Sequence, residues 1–176
     1  MKKAAISLCA LALSGQAIAL SIDLAVSEHS IDAGVIIPFG PESMASGSVL
    51  YRESNGHMYD FGLYATGRSG SLSGKVGAKV FGADLRNASG WGFAPGAAVA
   101  FHFTPALRIE GEYYYSPSVL AWNDIENLKE FSTRLVFSPM ANADIYIGYR
   151  DVKFDTTNRG EKTLSDGGFL GITFTL

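Results

Sequence analysis

The sequence is poor in charge, in proline and above all in cysteine. Its 176 residues include one cysteine and six prolines, and 18% of them are charged, against about 25% in an average globular protein. Low charge excludes a disordered acidic or basic chain, a coiled coil and a nucleic-acid-binding arm. What the chain does have is 20 glycines and 12% aromatic residues, a mixture typical of β-sheet proteins with tight turns.

The first 19 residues have the features of a secretory signal peptide. Lys2 and Lys3 precede an apolar run over residues 4–13, and residues 17–19 form an A-x-A cleavage site. The alternative, an anchoring helix, needs about 20 apolar residues. We therefore expect residues 1–19 to be removed, together with Cys9, and residues 20–176 to form one domain. That domain contains no cysteine, so hydrogen bonding and packing must stabilise it without disulfides.

Apolar and polar residues alternate with period two along the remaining chain. In residues 72–80, for example, Leu72, Val76 and Val80 alternate with serines and lysines. No segment keeps a helical stripe over three turns. The segments run for about 9–13 residues, which matches a tilted strand crossing a membrane better than the usual soluble strand of about 5–6.

The connections between these segments predict the topology. Short turns at residues 68–70, 104–106 and 138–142 alternate with longer polar stretches at 83–90, 116–127 and 155–163. Short periplasmic turns and longer external loops are typical of a transmembrane antiparallel up-and-down β-barrel, whereas a soluble β-sandwich has no reason to alternate in this way. Counting back from the C-terminus gives ten strands if residues 20–28 and 32–39 both belong to the wall. The alternative is eight strands starting at residue 44.

Aromatic residues near the strand ends predict two membrane-interface girdles. The outer one would contain Trp91, Tyr113 and Tyr115, and the inner one Phe101, Phe103, Phe137 and Phe174. The last residues also fit a C-terminal signal for barrel assembly, with Gly171, Phe174 and Leu176 at its glycine, aromatic and terminal apolar positions. We expect the partners to be outer-membrane lipid and, during biogenesis, periplasmic chaperones and the barrel-assembly machinery.

The residues predicted to face the lumen carry both signs of charge. They are Lys75, Lys79, Arg108, Glu110, Glu112, Glu130, Arg134, Asp144, Tyr146 and Arg150. Eight strands are just filled by side chains and 16–18 leave an aqueous channel, so ten strands are close to the filled limit. Two interpretations stay open: a stabilising salt-bridge network, or a narrow conduit for small solutes or ions. Binding through an apolar cluster in the loop 116–127 is a third possibility.

Enzymatic chemistry has little support in the sequence. The three histidines, His29, His57 and His102, are not in a nucleophile–histidine pattern, and no nucleophile elbow is present. No metal-ligand spacing occurs. We therefore expect no catalytic site, no metal and no cofactor. Without Lys2 and Lys3, 12 basic and 17 acidic side chains remain, a net charge of −5, which also argues against nucleic acid as a partner.

Three segments in the second half of the chain carry a family resemblance. They are residues 113–124 (YYYSPSVLAWND), 145–150 (IYIGYR) and 168–174 (GFLGITF). The first resembles the YYAP-x-VL…D segment of the YfaZ family of outer-membrane proteins, with Ser116 in place of the usual alanine. The other two are similar to that family's VYVGYR strand and to its final strand. The resemblance implies a porin-like barrel in the bacterial outer membrane, and it implies neither catalytic residues nor a particular substrate.

Overall fold

The structure, a computed structural model, describes residues 19–53, 55–157 and 160–176. Almost all of the predicted signal peptide lies outside these residues. Ten long strands and one short strand, β8, make up the fold, and a single 3-10 turn covers Ser118–Leu120. The strands are β1 (Ser21–Ser27), β2 (Ser30–Gly40), β3 (Ser43–Arg52), β4 (Gly56–Ser69), β5 (Leu72–Leu85), β6 (Ala88–Thr104), β7 (Leu107–Ser116), β8 (Ala121–Asn123), β9 (Ile125–Met140), β10 (Ala143–Thr156) and β11 (Gly160–Thr175). No helix in the described part of the chain is long and apolar enough to cross a membrane.

The ten long strands close into a barrel. Each strand pairs in antiparallel fashion with the long strands before and after it, and β1 pairs with β11 from Ser21↔Thr175 to Ser27↔Phe169. Closure leaves no free sheet edge, which a sheet in lipid requires because unpaired backbone groups are costly there. The prediction of ten strands is confirmed. The eight-stranded alternative is wrong, because β1 and β2 lie in the wall.

The predicted loop lengths need correction. Residues 83–90 and 155–163 are mostly strand: β5 runs to Leu85, β6 begins at Ala88, and the connection between β10 and β11 covers only residues 157–159. Asn87 adopts a positive φ of 69°, as a tight hairpin turn requires. The longest connection is 117–124. It lies at the end opposite to the start of β1 and the end of β11, an end that is external in outer-membrane barrels. We call the two ends outer and inner accordingly.

The connection 117–124 completes the outer wall rather than projecting from it. β7 ends at Ser116, short of the outer end of β6, and β8 takes its place by pairing with residues 90–92 of β6. Trp122 stacks on Trp91 with ring centroids 4.3 Å apart and an interplanar angle of 17°. Ile125, the next inward residue, is buried. Most of the apolar residues of this loop therefore pack against the barrel, while Val119 remains exposed.

The outward face of the barrel is apolar over much of its height. Exposed outward side chains include Val76, Leu135, Ile147 and Leu170, which are 44–64% accessible. A soluble monomer rarely exposes a contiguous apolar patch above a few hundred Å², whereas lipid solvates such a surface. The wall is therefore built to face hydrocarbon.

Glycines let aromatic rings lie flat against the inner wall. A Cβ added at Gly96 would come within 2.2 Å of the Tyr114 ring and 2.4 Å of the Tyr113 carbonyl oxygen. A Cβ at Gly171 would meet the Tyr146 ring at 2.4 Å. The abundance of glycine thus follows from packing large rings inside a narrow barrel.

Replacing Gly96 with alanine is expected to destabilise the barrel. The added methyl group collides with both the ring and the backbone of β7, and overpacking of this kind costs about 1–3 kcal/mol. Urea-induced unfolding in lipid vesicles measures the loss. The matched control is Gly67→Ala, where nothing lies within 4 Å of the added Cβ. Equal stability of the two variants would refute the packing role.

Candidate functional site

The inner half of the lumen is a cavity that opens at the inner end of the barrel. Its volume is about 560 Å³, and its lining comes from strands on all sides, including Ser21 at the start of β1 and Thr175 at the end of β11. We call this cavity the vestibule. The charged residues that line it are Glu42, Arg68, Lys75, Arg108, Glu110, Glu112, Arg134 and Asp144.

Strand register brings the vestibule charges together. Inward positions recur every second residue, so β7 presents Arg108, Glu110 and Glu112 in a row. On the neighbouring β9, Arg134 lies directly opposite Glu110. Directly opposed residues have Cβ atoms about 4.5–5.5 Å apart, which is within ion-pairing range for long side chains.

Four of these inward side chains and Asp23 form an alternating chain of ion pairs, which we call the inner ladder. Arg108 links Asp144 at 2.7 Å to Glu110 at 2.5 Å. Arg134 contacts the other oxygen of Glu110 at 2.6 Å and approaches Asp23 at 3.8 Å. The Tyr146 hydroxyl donates to Asp23 at 2.7 Å. The ladder begins and ends on a carboxylate.

Three further groups of charged residues lie level with the inner ladder or nearer to the outer end of the barrel. Lys75 pairs with Glu112 at 3.2 Å, and Arg150 pairs with Asp32 across the β1–β11 seam. The third group, which we call the buried triad, consists of Lys79, Asp60 and Glu130.

In the buried triad one lysine forms ion pairs with two carboxylates. Lys79 Nζ lies 2.6 Å from Glu130 and 3.4 Å from Asp60, and all three side chains are at most 10% exposed. The Ser48 hydroxyl donates to Asp60 at 2.7 Å. Lys79 Nζ also lies 4.6 Å from the centroid of the Tyr114 ring, a favourable cation–π distance.

Between the buried triad and the outer end of the barrel, apolar side chains fill the lumen. Met58, Phe81 and Leu128 follow Asp60, Lys79 and Glu130 as the next inward residues on their strands. We call the whole cluster the plug. It comprises Leu50, Met58, Phe81, Ala83, Leu85, Ala94, Ile125, Leu128, Val152, Phe154 and Leu164, each at most 4% exposed. In this conformation the lumen is open at the inner end and closed by packed side chains towards the outer end.

The plug is an ordinary hydrophobic core for the part of the barrel that extends beyond the lipid. On β10, outward Ile147 and Tyr149 give way to outward Asp151 and Lys153, while the inward residues become apolar at Val152. This inversion places polar groups outside and apolar groups inside, as in a soluble barrel. The sequence signal was therefore present, but the polar outward residues gave these segments the composition of loops.

In the structure, the side chain of every predicted lumen residue points inward. The vestibule contains Lys75, Arg108, Glu110, Glu112, Arg134 and Asp144; Lys79 and Glu130 lie in the buried triad, and Tyr146 and Arg150 lie against Asp23 and Asp32. Sequence reasoning missed three acidic partners, Asp23, Asp32 and Asp60. Each alternates with apolar outward neighbours, as Asp60 does between Tyr59 and Phe61, so period two could have found them.

The predicted girdle aromatics all point outward. Trp91, Phe101, Phe103, Tyr113, Tyr115, Phe137 and Phe174 are 38–56% exposed. Phe174 and Leu176 lie at the inner end of β11, whereas Gly171 faces inward beneath the Tyr146 ring. Gly171 therefore has a packing reason to be glycine, apart from any role in assembly.

The histidines do not assemble a catalytic group in the described residues. His29 and His57 lie at the outer end, and His102 Nε2 is 2.9 Å from the Ser73 hydroxyl near the inner end. Among the residues that the structure covers, the His102 ring donates no hydrogen bond to a carboxylate. The same residues contain no group of three potential metal ligands.

A closed ten-stranded barrel with an apolar exterior and a charged lumen defines a small, porin-like integral barrel of the bacterial outer membrane. Family comparison agrees: the family described as "YfaZ precursor" matches residues 1–176. The chain belongs to the YfaZ family. It is similar to "Outer membrane protein YfaZ" of Escherichia coli (strain K12), with 27% identity over 174 residues, 92% of this chain and 96% of that protein.

The solved structures to which this chain is similar include two porins and an outer membrane channel. The KdgM porin matches with a TM-score of 0.51 and 8% identity, over 90% of this chain and 99% of that one. The NanC porin gives a TM-score of 0.48 at 8% identity, over 91% and 100%. For the outer membrane channel DcaP of Acinetobacter baumannii the values are 0.45 and 14%, and this chain spans 88% of itself but only 54% of DcaP. At these identities the KdgM match shows a shared fold.

Proposed function

We propose that the barrel is a narrow outer-membrane conduit for small hydrophilic solutes or ions, with the vestibule as its inner mouth. The observation that carries this proposal is the vestibule itself, a charged cavity of about 560 Å³ in line with the barrel axis. A purely structural barrel could fill the same space with apolar side chains, as the plug does. Charged side chains around an open cavity instead favour water and polar solutes. The proposal includes no catalytic step.

The plug is the segment that must move for solute to pass. Burying one of its large side chains contributes about 1.5–3 kcal/mol, so displacing the whole plug would cost more than about 10 kcal/mol. Displacing a single ring costs only about 3 kcal/mol. Passage therefore takes place through brief local openings, and we expect short, small current steps rather than a permanently open pore.

The plug also supports a second candidate, a closed barrel that acts through its outer surface. In that case the inner ladder and the buried triad only stabilise the wall. The outer connection 117–124, with exposed Val119 and the Trp91–Trp122 stack, is then the surface to examine. Substitutions on this surface would then abolish binding, whereas lumen substitutions would leave binding unchanged.

Biogenesis follows from the same proposal. Residues 1–19 would be removed during export, and the end of β11, with Gly171, Phe174 and Leu176, would be read by the barrel-assembly machinery after periplasmic chaperones deliver the chain. The outward girdle aromatics would then lie at the two lipid interfaces.

Single-channel recording in a planar bilayer tests the conduit. The refolded protein, with residues 1–19 removed, should give discrete steps, and Arg134→Ala should change their size because Arg134 lines the vestibule. Ile147→Ala, on the lipid-facing side, is the control and should leave the steps unchanged. A heat-modifiable, folded protein that stays silent would favour the closed barrel, and steps indifferent to Arg134→Ala would show that the conducting path does not pass through the vestibule.

A further inference from the structure

Among the ion pairs on the inner side of the plug, negative charges outnumber positive charges. Seven carboxylates and five basic groups take part in them. The carboxylates are Asp23, Asp32, Asp60, Glu110, Glu112, Glu130 and Asp144, and the basic residues are Lys75, Lys79, Arg108, Arg134 and Arg150. With every group ionised, this part of the lumen has a net charge of −2.

The excess charge has two definite locations. The inner ladder contains three carboxylates and two arginines, and the buried triad contains two carboxylates and one lysine. Each group is therefore one negative charge in excess. The Lys75–Glu112 and Arg150–Asp32 pairs are balanced. The excess negative charge of the inner ladder borders the vestibule, and that of the buried triad lies farther from the inner end, next to the plug.

The remaining charges along the vestibule do not cancel this excess. Arg68 and Glu42 both line the inner mouth and have opposite signs. Arg52 donates to the Thr163 carbonyl at the outer end of the barrel, on the other side of the plug. The field inside the vestibule is consequently negative.

We infer that the conduit selects cations over anions, with the inner ladder and the buried triad as the determinants of selectivity. This inference rests on the proposed conduit function. In a narrow lumen with low-dielectric walls, fixed charge of one sign concentrates counter-ions and excludes co-ions. One uncompensated charge about 10 Å from a passing ion, at an effective dielectric constant near 20, favours a cation and disfavours an anion by on the order of tenfold each.

The reversal potential in a KCl gradient across a planar bilayer measures this selectivity. The wild-type protein should favour potassium over chloride by on the order of 100-fold. In the double variant Asp60→Asn/Asp144→Asn each charge group becomes balanced, and the preference should fall to near unity. Asn keeps the size and one acceptor oxygen of Asp, so packing is retained. Asp166→Asn is the matched control, because Asp166 faces outward at the outer end and bonds to the Tyr149 hydroxyl; it should keep the wild-type value.

Each outcome decides a different claim. A conducting wild type without cation preference would overturn the inference and leave the conduit standing. Selectivity that survives in the double variant would overturn the assignment to these two groups. If folded wild-type protein conducts under no condition, and a variant with a truncated plug is also silent, the conduit itself is refuted and the selectivity with it.

Discussion

Truncating the two plug rings, in the variant Phe81→Ala/Phe154→Ala, is expected to raise the time-averaged current through the barrel by on the order of 100-fold. The two rings pack against each other with centroids 5.9 Å apart, and both are at most 1% exposed. Displacing a buried ring costs about 3 kcal/mol. In a variant that lacks the rings, a water-filled path can form without this free-energy cost.

The control for this variant removes the same two side-chain types from the outer wall. Phe61 and Phe93 face outward and are 56% and 40% exposed, so Phe61→Ala/Phe93→Ala changes the composition identically without touching the lumen. Its current should equal that of the wild type. Heat-modifiable migration on a gel confirms that both variants are folded. A folded Phe81→Ala/Phe154→Ala barrel that carries no more current than a conducting wild type would show that the plug is not the closing element.

Removing the charge of Lys79 is expected to cause the largest loss of stability. Lys79→Met leaves the carboxylates of Asp60 and Glu130 buried without a cation, and breaking a buried ion pair in this way costs about 3–5 kcal/mol. The free energy of unfolding in lipid vesicles, followed by urea titration, reports the loss. The reason is desolvation: neither carboxylate can regain water in its present position.

A triple variant separates this cause from simple loss of packing. Lys79→Met/Asp60→Asn/Glu130→Gln keeps similar volumes and leaves no charge unpaired, so most of the stability should return. Lys153→Met is the exposed control. Lys153 pairs with Asp151 at 2.9 Å on the outward face, and such pairs contribute about 0–1 kcal/mol. If the triple variant were as unstable as Lys79→Met, the desolvation account would be wrong.

Period two alone was enough to predict the membrane-spanning part of the wall. Where lipid lies outside and polar side chains lie inside, as between Val76 and Lys79 on β5, alternation indicates both the strand and its inward face. The same reasoning placed β1 and β2 in the barrel, because Ile22 and Leu24 alternate with Asp23. It also identified most of the charged groups that line the vestibule.

The plug could not be recognised in this way because its polarity is inverted. Beyond the lipid, Asp84 faces water while Ala83 and Leu85 face the core, so a segment that is still strand has the composition of a loop. The pairing of the charged residues could not be predicted for a different reason. Asp32 and Arg150 are 118 residues apart and meet only because β1 and β11 close the barrel, which no local pattern specifies.

The lumen is open to the inner side and closed to the outer side, and cysteine labelling tests this arrangement directly. Residues 20–176 contain no cysteine, so single cysteines can be introduced as probes for an impermeant maleimide. Ala98→Cys, in the vestibule lining, should react only when the periplasmic side is made accessible by permeabilising the outer membrane. Leu164→Cys, in the plug, should react in neither case, and outward Asp166→Cys should react in both. Equal labelling of Ala98→Cys in intact and permeabilised cells would contradict the account.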